Sequence, residues 1–202
     1  MGSSGQREMA AAAKGTGGGQ PGKVLLSRRQ IQRRVAELGQ EIQRSYGQRP
    51  VTLLAVMSGA IVFLADLLRQ LSLEVQLRVL CARRYEQGVN PGAPQLAPCL
   101  EADLAGQDVL IVDDILDRGA TLSTIVDQVL ARRPASLKTC LLLRKIRPAM
   151  ADAQELAARK ANLEFVGFEI PEVFVVGYGL DFNGRYRNLP DIVILQQQEG
   201  RP

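Results

Sequence analysis

The segment of residues 109–123, VLIVDDILDRGATLS, constrains the fold more than any other part of the chain. Its apolar start, residues 109–112, is long enough for a buried strand and too short for a helix. Asp113 and Asp114 follow, Asp117 opens a turn that contains Gly119, and residues 122–130 have the spacing of an amphipathic helix. A strand, a tight turn and a helix N-terminus direct N–H groups to one point, which predicts an anion site. The acids favour a phosphate that arrives with a divalent cation or hydroxyl groups. The alternative is an ordinary βα turn with solvated acids.

Strands and helices alternate along the rest of the chain. Apolar patterns predict strands at residues 51–57, 74–80, 136–143, 164–168, 173–178 and 191–195, and helices at 27–46 and 61–71, with a further short helix at 149–162. Ser27 and Gln30 form a capping box before the first helix. The order indicates an α/β fold with a mostly parallel twisted sheet flanked by helices. Residues 1–23 are glycine-rich and predict a disordered tail that begins with an expression-tag remnant, and residues 24–202 are expected to form one domain.

The composition excludes several kinds of chemistry. The chain contains no histidine, so Ser-His-Asp catalysis, Cys-His catalysis and histidine metal sites are all ruled out. Its three cysteines, Cys81, Cys99 and Cys140, are widely spaced and predict free or buried thiols rather than disulfides or a zinc site. The net charge of +4 suits an anionic small substrate as well as nucleic acid. Neither a membrane-spanning run nor a signal peptide is recognisable, so the expected location is the cytoplasm.

Polar and small residues follow several predicted strands. Residues 57–60, 113–121, 144–145 and 179–181 come at or just after strand ends. In a parallel sheet such positions meet at one edge, where α/β proteins bind their ligands, so these segments are expected to form a single cleft. Residues 82–100 hold three prolines and two glycines and predict a long loop, interpreted as an active-site lid or, alternatively, as a plain surface hairpin.

At this point four segments resemble a known family, the type I phosphoribosyltransferases. VLIVDDILDRGATLS is similar to their signature for 5-phosphoribosyl-1-pyrophosphate (PRPP), and LAVMSGAIVFLADLL is similar to their pyrophosphate loop. LLLRK and the segment VGFEIPEVFVVGYGLDFNGRYRNLPDIVIL resemble the base-binding lysine segment and the C-terminal hood of the hypoxanthine-guanine branch, the bacterial 6-oxopurine salvage enzymes. The resemblance implies a type I phosphoribosyltransferase fold with a small C-terminal hood and a mobile lid loop. It also implies Mg²⁺ and formation of IMP or GMP plus pyrophosphate from PRPP and hypoxanthine or guanine.

The resemblance assigns roles to the residues of the PRPP site. Asp113 and Asp114 match the acids that hold the ribose hydroxyls directly or through Mg²⁺, and Asp117 matches the general acid–base near purine N7. The phosphate would lie in the turn formed by Asp117, Arg118, Gly119, Ala120 and Thr121. Pyrophosphate would be bound by Ser58, Gly59 and Arg187, with the Met57–Ser58 peptide bond often cis in the family.

The resemblance also assigns the base pocket and the lid. Lys145 matches the donor to purine O6, Phe174 the aromatic side chain that stacks on the base, and Val175 a backbone carbonyl at its exocyclic edge. Asp181, placed in the same pocket, matches a second carboxylate associated with Mg²⁺. Arg84 and Tyr85 match the lid. Several positions depart from the family pattern: Arg118 and Ala120 in the phosphate turn, Arg84 in the lid and Ala60 in the pyrophosphate loop.

Two other functions remain as alternatives. An RNA-binding regulatory homologue of the family is compatible with the basic charge. The arginines form no patch interleaved with aromatic residues, however, so the sequence does not favour nucleic acid as a partner. A signalling domain of flavodoxin-like topology also carries an acid pair, although after its first strand rather than after a third. The resemblance implies a homodimer or homotetramer. The sequence leaves open the number of subunits and the preference among hypoxanthine, guanine and xanthine.

Overall fold

The structure is a computed structural model and describes residues 19–83, 95–96, 103–146 and 162–196. In chain order the strands are β1 Gln20–Leu26, β2 Val51–Met57, β3 Val75–Arg83, β4 Gln95–Leu96, β5 Asp108–Leu116, β6 Ser136–Lys145, β7 Leu163–Ile170, β8 Val175–Val176 and β9 Ile192–Gln196. The helices are α1 Arg28–Tyr46, α2 Ile61–Leu68 and α3 Ala120–Leu130. None of these helices has both the length and the apolar character that would let it span a membrane.

The main sheet has the strand order β4-β3-β2-β5-β6-β7. Neighbouring strands from β3 to β7 run parallel, and only the short β4 pairs antiparallel, so the predicted mostly parallel sheet is confirmed. The chain moves from β2 outward to β3 and then returns to the other side of β2 as β5. The strand order therefore reverses between β2 and β5, and such a reversal opens a crevice at the carboxyl ends of the two strands.

Helices cover both faces of this sheet. On one face, Leu53 and Ala55 of β2 lie in a buried cluster with residues of α1 and α2. On the other face, Leu54 and Val56 lie in a second buried cluster with the apolar side of α3. Because both faces are covered, the central strand has no solvated side, which explains why all of its residues except Thr52 are apolar.

Helix α1 begins and ends where the sequence predicts. The Ser27 hydroxyl accepts from the Gln30 N–H at 3.4 Å, and the Ser27 N–H donates to the Gln30 side chain at 3.0 Å, which confirms the capping box. The helix ends at Tyr46, followed by Gly47 at φ 64°. The part-buried Arg34 attaches the helix to the sheet edge, because its guanidinium donates to two main-chain carbonyls of β7.

A second, antiparallel sheet with the order β1-β9-β8 forms the hood. Strand β1 corrects the predicted tail: residues 20–23 lie in a strand that pairs with β9. Residues 1–18 of that tail fall outside the described part of the chain. The sequence did not reveal this strand because its apolar residues alternate weakly, and the pairing partner lies near the other end of the chain. The predicted helix at 149–162 falls outside the described residues except for residue 162.

Several boundaries also differ from the sequence-based expectation. Asp113 and Asp114 do not follow the third parallel strand but lie inside it, because β5 continues to Leu116. Lys145 is the last residue of β6, helix α2 ends at Leu68, and α3 begins at Ala120. The lid residues Arg84 and Tyr85, which follow β3, lie outside the described residues.

Candidate active site

A cleft of about 800 Å³ opens at the carboxyl ends of β2 and β5, at the reversal of strand order. Eleven of the predicted site residues line it: Ser58, Gly59, Asp113, Asp114, Asp117, Arg118, Gly119, Ala120, Thr121, Asp181 and Arg187. The lining does not include Lys145, Phe174 or Val175. The structure thus brings the predicted phosphate, ribose and pyrophosphate residues together, and of the three predicted base-pocket residues outside the lining, Lys145 contacts a cleft residue, Asp117.

The acid pair lies at the floor of this cleft. Asp113 is 8% exposed and Asp114 is partly buried. An Asp113 oxygen accepts from the Asp114 N–H at 2.8 Å, and an Asp114 oxygen accepts from the Ile115 N–H at 2.7 Å. Burial, followed by the charge of Asp114, raises the pKa of Asp113 well above its ordinary value. Burial also raises the pKa of Asp114, against the opposing effect of the Arg187 charge. Two buried carboxylates of this kind favour a bound cation or ligand hydroxyl groups.

Asp181 lies in the same cleft but is engaged by the hood. One of its oxygens pairs with Arg187 Nη2 at 2.8 Å, and the other accepts from the Gly184 N–H at 2.7 Å. In the described part of the chain, no three Asp, Glu or Cys side chains are placed to hold one metal ion. Asp181 therefore does not join Asp113 and Asp114 in a single metal cage, and any magnesium here would need ligand oxygens in addition.

The turn before α3 has the geometry of an anion site. Gly119 adopts φ 79°, a left-handed conformation that costs glycine little, and it directs the chain into the helix. No side chain caps this helix start in the described residues, and residues 119–122, which carry its first N–H groups, line the cleft. The positive end of the helix dipole and these donors together favour a phosphate.

The loop after β2 approaches the acid pair closely. The peptide bond between Met57 and Ser58 is cis, as the family resemblance implies. A Cβ atom at Gly59 would overlap the Asp114 carboxylate, so only glycine fits while Asp114 keeps its position. From the opposite side, Gly179 of the hood lies against the Gly59 carbonyl, and a Cβ there would overlap it. Three segments distant in sequence therefore meet around one glycine.

Lys145 of the predicted base pocket contacts Asp117 of the predicted phosphate turn. The Lys145 ammonium lies 3.7 Å from an Asp117 oxygen, with the lysine buried at the end of β6. Parallel pairing of β5 with β6 brings the two side chains together, because it aligns Leu116 with Arg144, the residues directly before Asp117 and Lys145. A donor and an acceptor thus lie side by side at the position where the resemblance puts purine O6 and N7.

The hood supplies the remaining base-pocket residues. Phe174 is 42% exposed, an unusual state for a large aromatic side chain, and its ring meets that of Phe182 edge-on at 5.6 Å. Val175 is buried at the start of β8. The sequence interpretation placed Gly179 in the cleft-forming segment 179–181 but did not single out Tyr178, although the Gly-Tyr-Gly pattern at 177–179 signals a special backbone.

The comparisons with known proteins agree with this geometry. The model of the phosphoribosyl transferase domain matches residues 23–183, which is most of the chain. The chain belongs to the phosphoribosyltransferase family. The hypoxanthine-guanine phosphoribosyltransferase of Aquifex aeolicus is 39% identical over 176 residues, covering 86% of this chain and 94% of that protein. The Bacillus subtilis protein of the same name is 37% identical over 177 residues, covering 86% and 93%.

Solved phosphoribosyltransferases also share the fold. A crystal structure of a hypoxanthine-guanine phosphoribosyltransferase from Bacillus anthracis has a TM-score of 0.74 and 34% identity, covering 87% of this chain and 99% of that one. The type I phosphoribosyltransferase fold is therefore confirmed. Strand order alone would not exclude a flavodoxin-like domain, because β3-β2-β5-β6-β7 follows the same 2-1-3-4-5 pattern. The family match decides between them, and the comparisons give no support to the RNA-binding alternative.

Proposed function

We propose that this phosphoribosyltransferase makes IMP or GMP, with release of pyrophosphate, from PRPP and hypoxanthine or guanine. The observation that carries the proposal is the 3.7 Å approach of Lys145 to Asp117 beside a phosphate-type helix N-terminus. In this arrangement a lysine that would donate to O6 of a 6-oxopurine lies next to the turn that would bind the ribose phosphate. The names of the Aquifex aeolicus and Bacillus subtilis relatives support the same substrates.

The phosphate turn would fix the sugar end of PRPP. Backbone N–H groups of residues 117–121 would hold the 5′-phosphate, with the Thr121 hydroxyl as a further donor. Arg118 is exposed in this turn and would add positive charge at the mouth of the cleft. Binding at this point would place the ribose over Asp113 and Asp114.

The acid pair fits a role in magnesium and ribose binding. Both carboxylates have pKa values raised by burial, so a divalent cation would compensate charge that the protein leaves uncompensated. Mg²⁺ usually combines one or two carboxylates with substrate oxygens, which agrees with the absence of a three-carboxylate cage in the described residues. Asp181, in the same cleft, would be a second carboxylate associated with Mg²⁺. When bound, the cation would neutralise charge on the leaving group.

The leaving pyrophosphate would lie between the loop and the hood. Ser58 and Gly59 would offer backbone donors, and Arg187 would contribute a guanidinium from the opposite wall. Arg187 is held by its contacts with Asp181 and with the Gly179 carbonyl at 2.6 Å. These contacts preorganise the positive charge near the oxygen that becomes negative as the bond breaks.

In the proposed reaction a purine nitrogen forms a bond to the anomeric carbon of the ribose while the bond to pyrophosphate breaks. The pyrophosphate leaves with the electron pair of the broken bond. The proton that the purine loses would pass to Asp117, near N7. Lys145 would donate to O6 and disfavour a 6-amino base, and Phe174 would stack on the ring. The Val175 backbone would meet the exocyclic edge, and the lid residues Arg84 and Tyr85 would close the cleft.

Initial rates with hypoxanthine, guanine, xanthine and adenine, under saturating PRPP and magnesium, test the proposal. We expect turnover of hypoxanthine or guanine and little or none of adenine. Folded protein that turns over neither hypoxanthine nor guanine would contradict it. In Asp117→Asn, kcat should fall by more than PRPP affinity; the reverse pattern would remove the acid–base role.

We also propose a single domain, a homodimer or homotetramer, and a cytoplasmic location. Leu77 and Val79 on β3 are 43% and 37% exposed, on the sheet face that α1 and α2 cover elsewhere, and Ile61 is 50% exposed at the start of α2. Exposed apolar residues on one sheet face support contact with a second copy. Light scattering of the purified protein gives the subunit number, and a monomer at micromolar concentration would contradict this part.

A further inference from the structure

One hydrogen bond joins the hood to the helix that follows the pyrophosphate loop. The Tyr178 hydroxyl donates to an Asp66 oxygen at 2.5 Å. Tyr178 belongs to the hood and is 4% exposed, whereas Asp66 lies on α2, which begins two residues after Gly59. The two residues are 112 positions apart, so this contact exists only through the tertiary fold.

The backbone next to Tyr178 touches both sides of the proposed pyrophosphate subsite. Gly179 adopts φ 100° and lies against the Gly59 carbonyl, where a Cβ atom would overlap it. The Gly179 carbonyl accepts from Arg187 Nη1 at 2.6 Å. The Tyr178 side chain is therefore attached one residue away from the point where the loop, the hood and Arg187 meet.

Tyr178 itself has an unusual conformation. It adopts φ 51°, in the left-handed region that a non-glycine residue rarely enters. Its N–H donates to the Leu189 carbonyl at 2.7 Å, and its ring packs in the cluster shared by α1 and α2. Burial, and then the bond to Asp66, raise the pKa of the phenol, so the hydroxyl stays a donor across the physiological range.

We propose that Tyr178 and Asp66 form a positioning pair that keeps the hood in register with the pyrophosphate loop. Neither residue touches substrate. Their bond holds Gly179 against Gly59, so that Arg187 and the loop donors face one pyrophosphate group together. The inference rests on the pyrophosphate subsite proposed above, because that subsite is the one whose two walls the pair connects.

Tyr178→Phe removes the hydroxyl and keeps the ring. In the reverse reaction, with IMP and inorganic pyrophosphate, we expect the KM for pyrophosphate to rise at least fivefold. The KM for IMP should change less, because its 5′-phosphate would bind at residues 117–121, which are not part of the hood, and kcat should stay within about twofold. An unchanged KM for pyrophosphate would overturn the proposal, even if the melting temperature fell, because the hydrogen bond would then be only structural.

Variants on the Asp66 side test the same pair independently. Asp66→Asn keeps an oxygen acceptor and should retain a KM for pyrophosphate within about twofold of wild type. Asp66→Leu removes the acceptor and should reproduce the effect of Tyr178→Phe, and it serves as the test if Tyr178→Phe does not fold. Equal effects of Asp66→Asn and Asp66→Leu would contradict the pair.

Two matched controls separate this pair from general damage. Tyr186→Phe removes another hood hydroxyl, which donates to the Gly19 carbonyl at 3.2 Å away from the loop, and should leave the KM for pyrophosphate unchanged. Arg69→Gln removes the other ionic partner of Asp66 and should also leave it unchanged. Arg187→Gln tests the subsite itself. If only Arg187→Gln raises this KM, the pair is wrong; if neither Arg187→Gln nor Tyr178→Phe raises it, the subsite is wrong and the pair falls with it.

Discussion

Replacing Gly59 by alanine tests whether the pyrophosphate loop and the acid pair depend on each other. The added methyl group would occupy the position of an Asp114 carboxylate oxygen, and it would lie 2.6 Å from the carboxyl carbon. Asp114 would have to move away, because the three atoms nearest to the added methyl group all belong to the Asp114 carboxylate. That movement breaks the 2.7 Å bond that Asp114 accepts from the Ile115 N–H.

The magnitude follows from that lost bond. A hydrogen bond to a charged group contributes about 1.5–3 kcal/mol, so Gly59→Ala should lower the free energy of unfolding by about 2 kcal/mol. For a domain of this size that corresponds to a melting temperature lower by about 4–8 °C. The displaced carboxylate should also lower kcat/KM for PRPP by at least about tenfold.

A double-mutant cycle with Asp114→Ala provides the decisive measurement. Without the carboxylate the methyl group has space, so Gly59→Ala should cost less than about 0.5 kcal/mol in the Asp114→Ala background. Chemical denaturation of the four proteins gives the stability cycle, and initial rates with PRPP give the activity cycle. If Gly59→Ala costs the same in both backgrounds, the methyl group does not act through Asp114, and the argument is refuted.

Three further predictions concern the base, the metal and the fold. Lys145→Gln should raise the KM for hypoxanthine or guanine at least tenfold, with a smaller effect on the KM for PRPP. If steady-state kinetics show equal effects on the two KM values, Lys145 does not bind the base. Removal of Mg²⁺ by EDTA should abolish turnover, and added Mg²⁺ should restore it; full activity in EDTA would contradict the acid-pair assignment. Arg34→Met should lower the free energy of unfolding by about 2 kcal/mol, because two carbonyls of β7 lose their donor. The control Arg33→Met loses only an exposed ion pair, so urea denaturation should show a loss of less than about 0.5 kcal/mol in its free energy of unfolding.

The elements that local sequence specifies were predicted closely. The limits of β2 and α1 agree with the sequence-based expectation, because a six-residue buried run and a capping box are signals carried by neighbouring residues. The prediction was wrong for residues 20–23, whose strand exists only through its partner β9. It was also wrong for the end of β5: charged residues suggested a strand end, but the ladder to β6 continues through Asp113. Neighbouring strands therefore decided these boundaries, and no local signal could have done so.

The candidate site divides in the same way. The types and spacing of Asp113, Asp114, Asp117 and Gly119 predicted an acidic phosphate site, because a βα turn places these residues together by covalent connection alone. The placement of Ser58 and Lys145 at the same edge followed from parallel strand order. Distances such as that between Lys145 and Asp117 required the strand register.

The sequence by itself thus determined the chemistry of this protein: a strand, an acidic turn and a helix start that together suit a ribose phosphate. The tertiary structure alone decided how the hood packs against the residues that carry this chemistry. Gly179 contacts Gly59, and Tyr178 bonds to Asp66, so both contacts join segments far apart in the chain. Arg187 bonds to the carbonyl of Gly179, a residue with an unusual backbone conformation. Such contacts depend on how two sheets dock, and docking is set by packing across the whole core rather than by any local pattern.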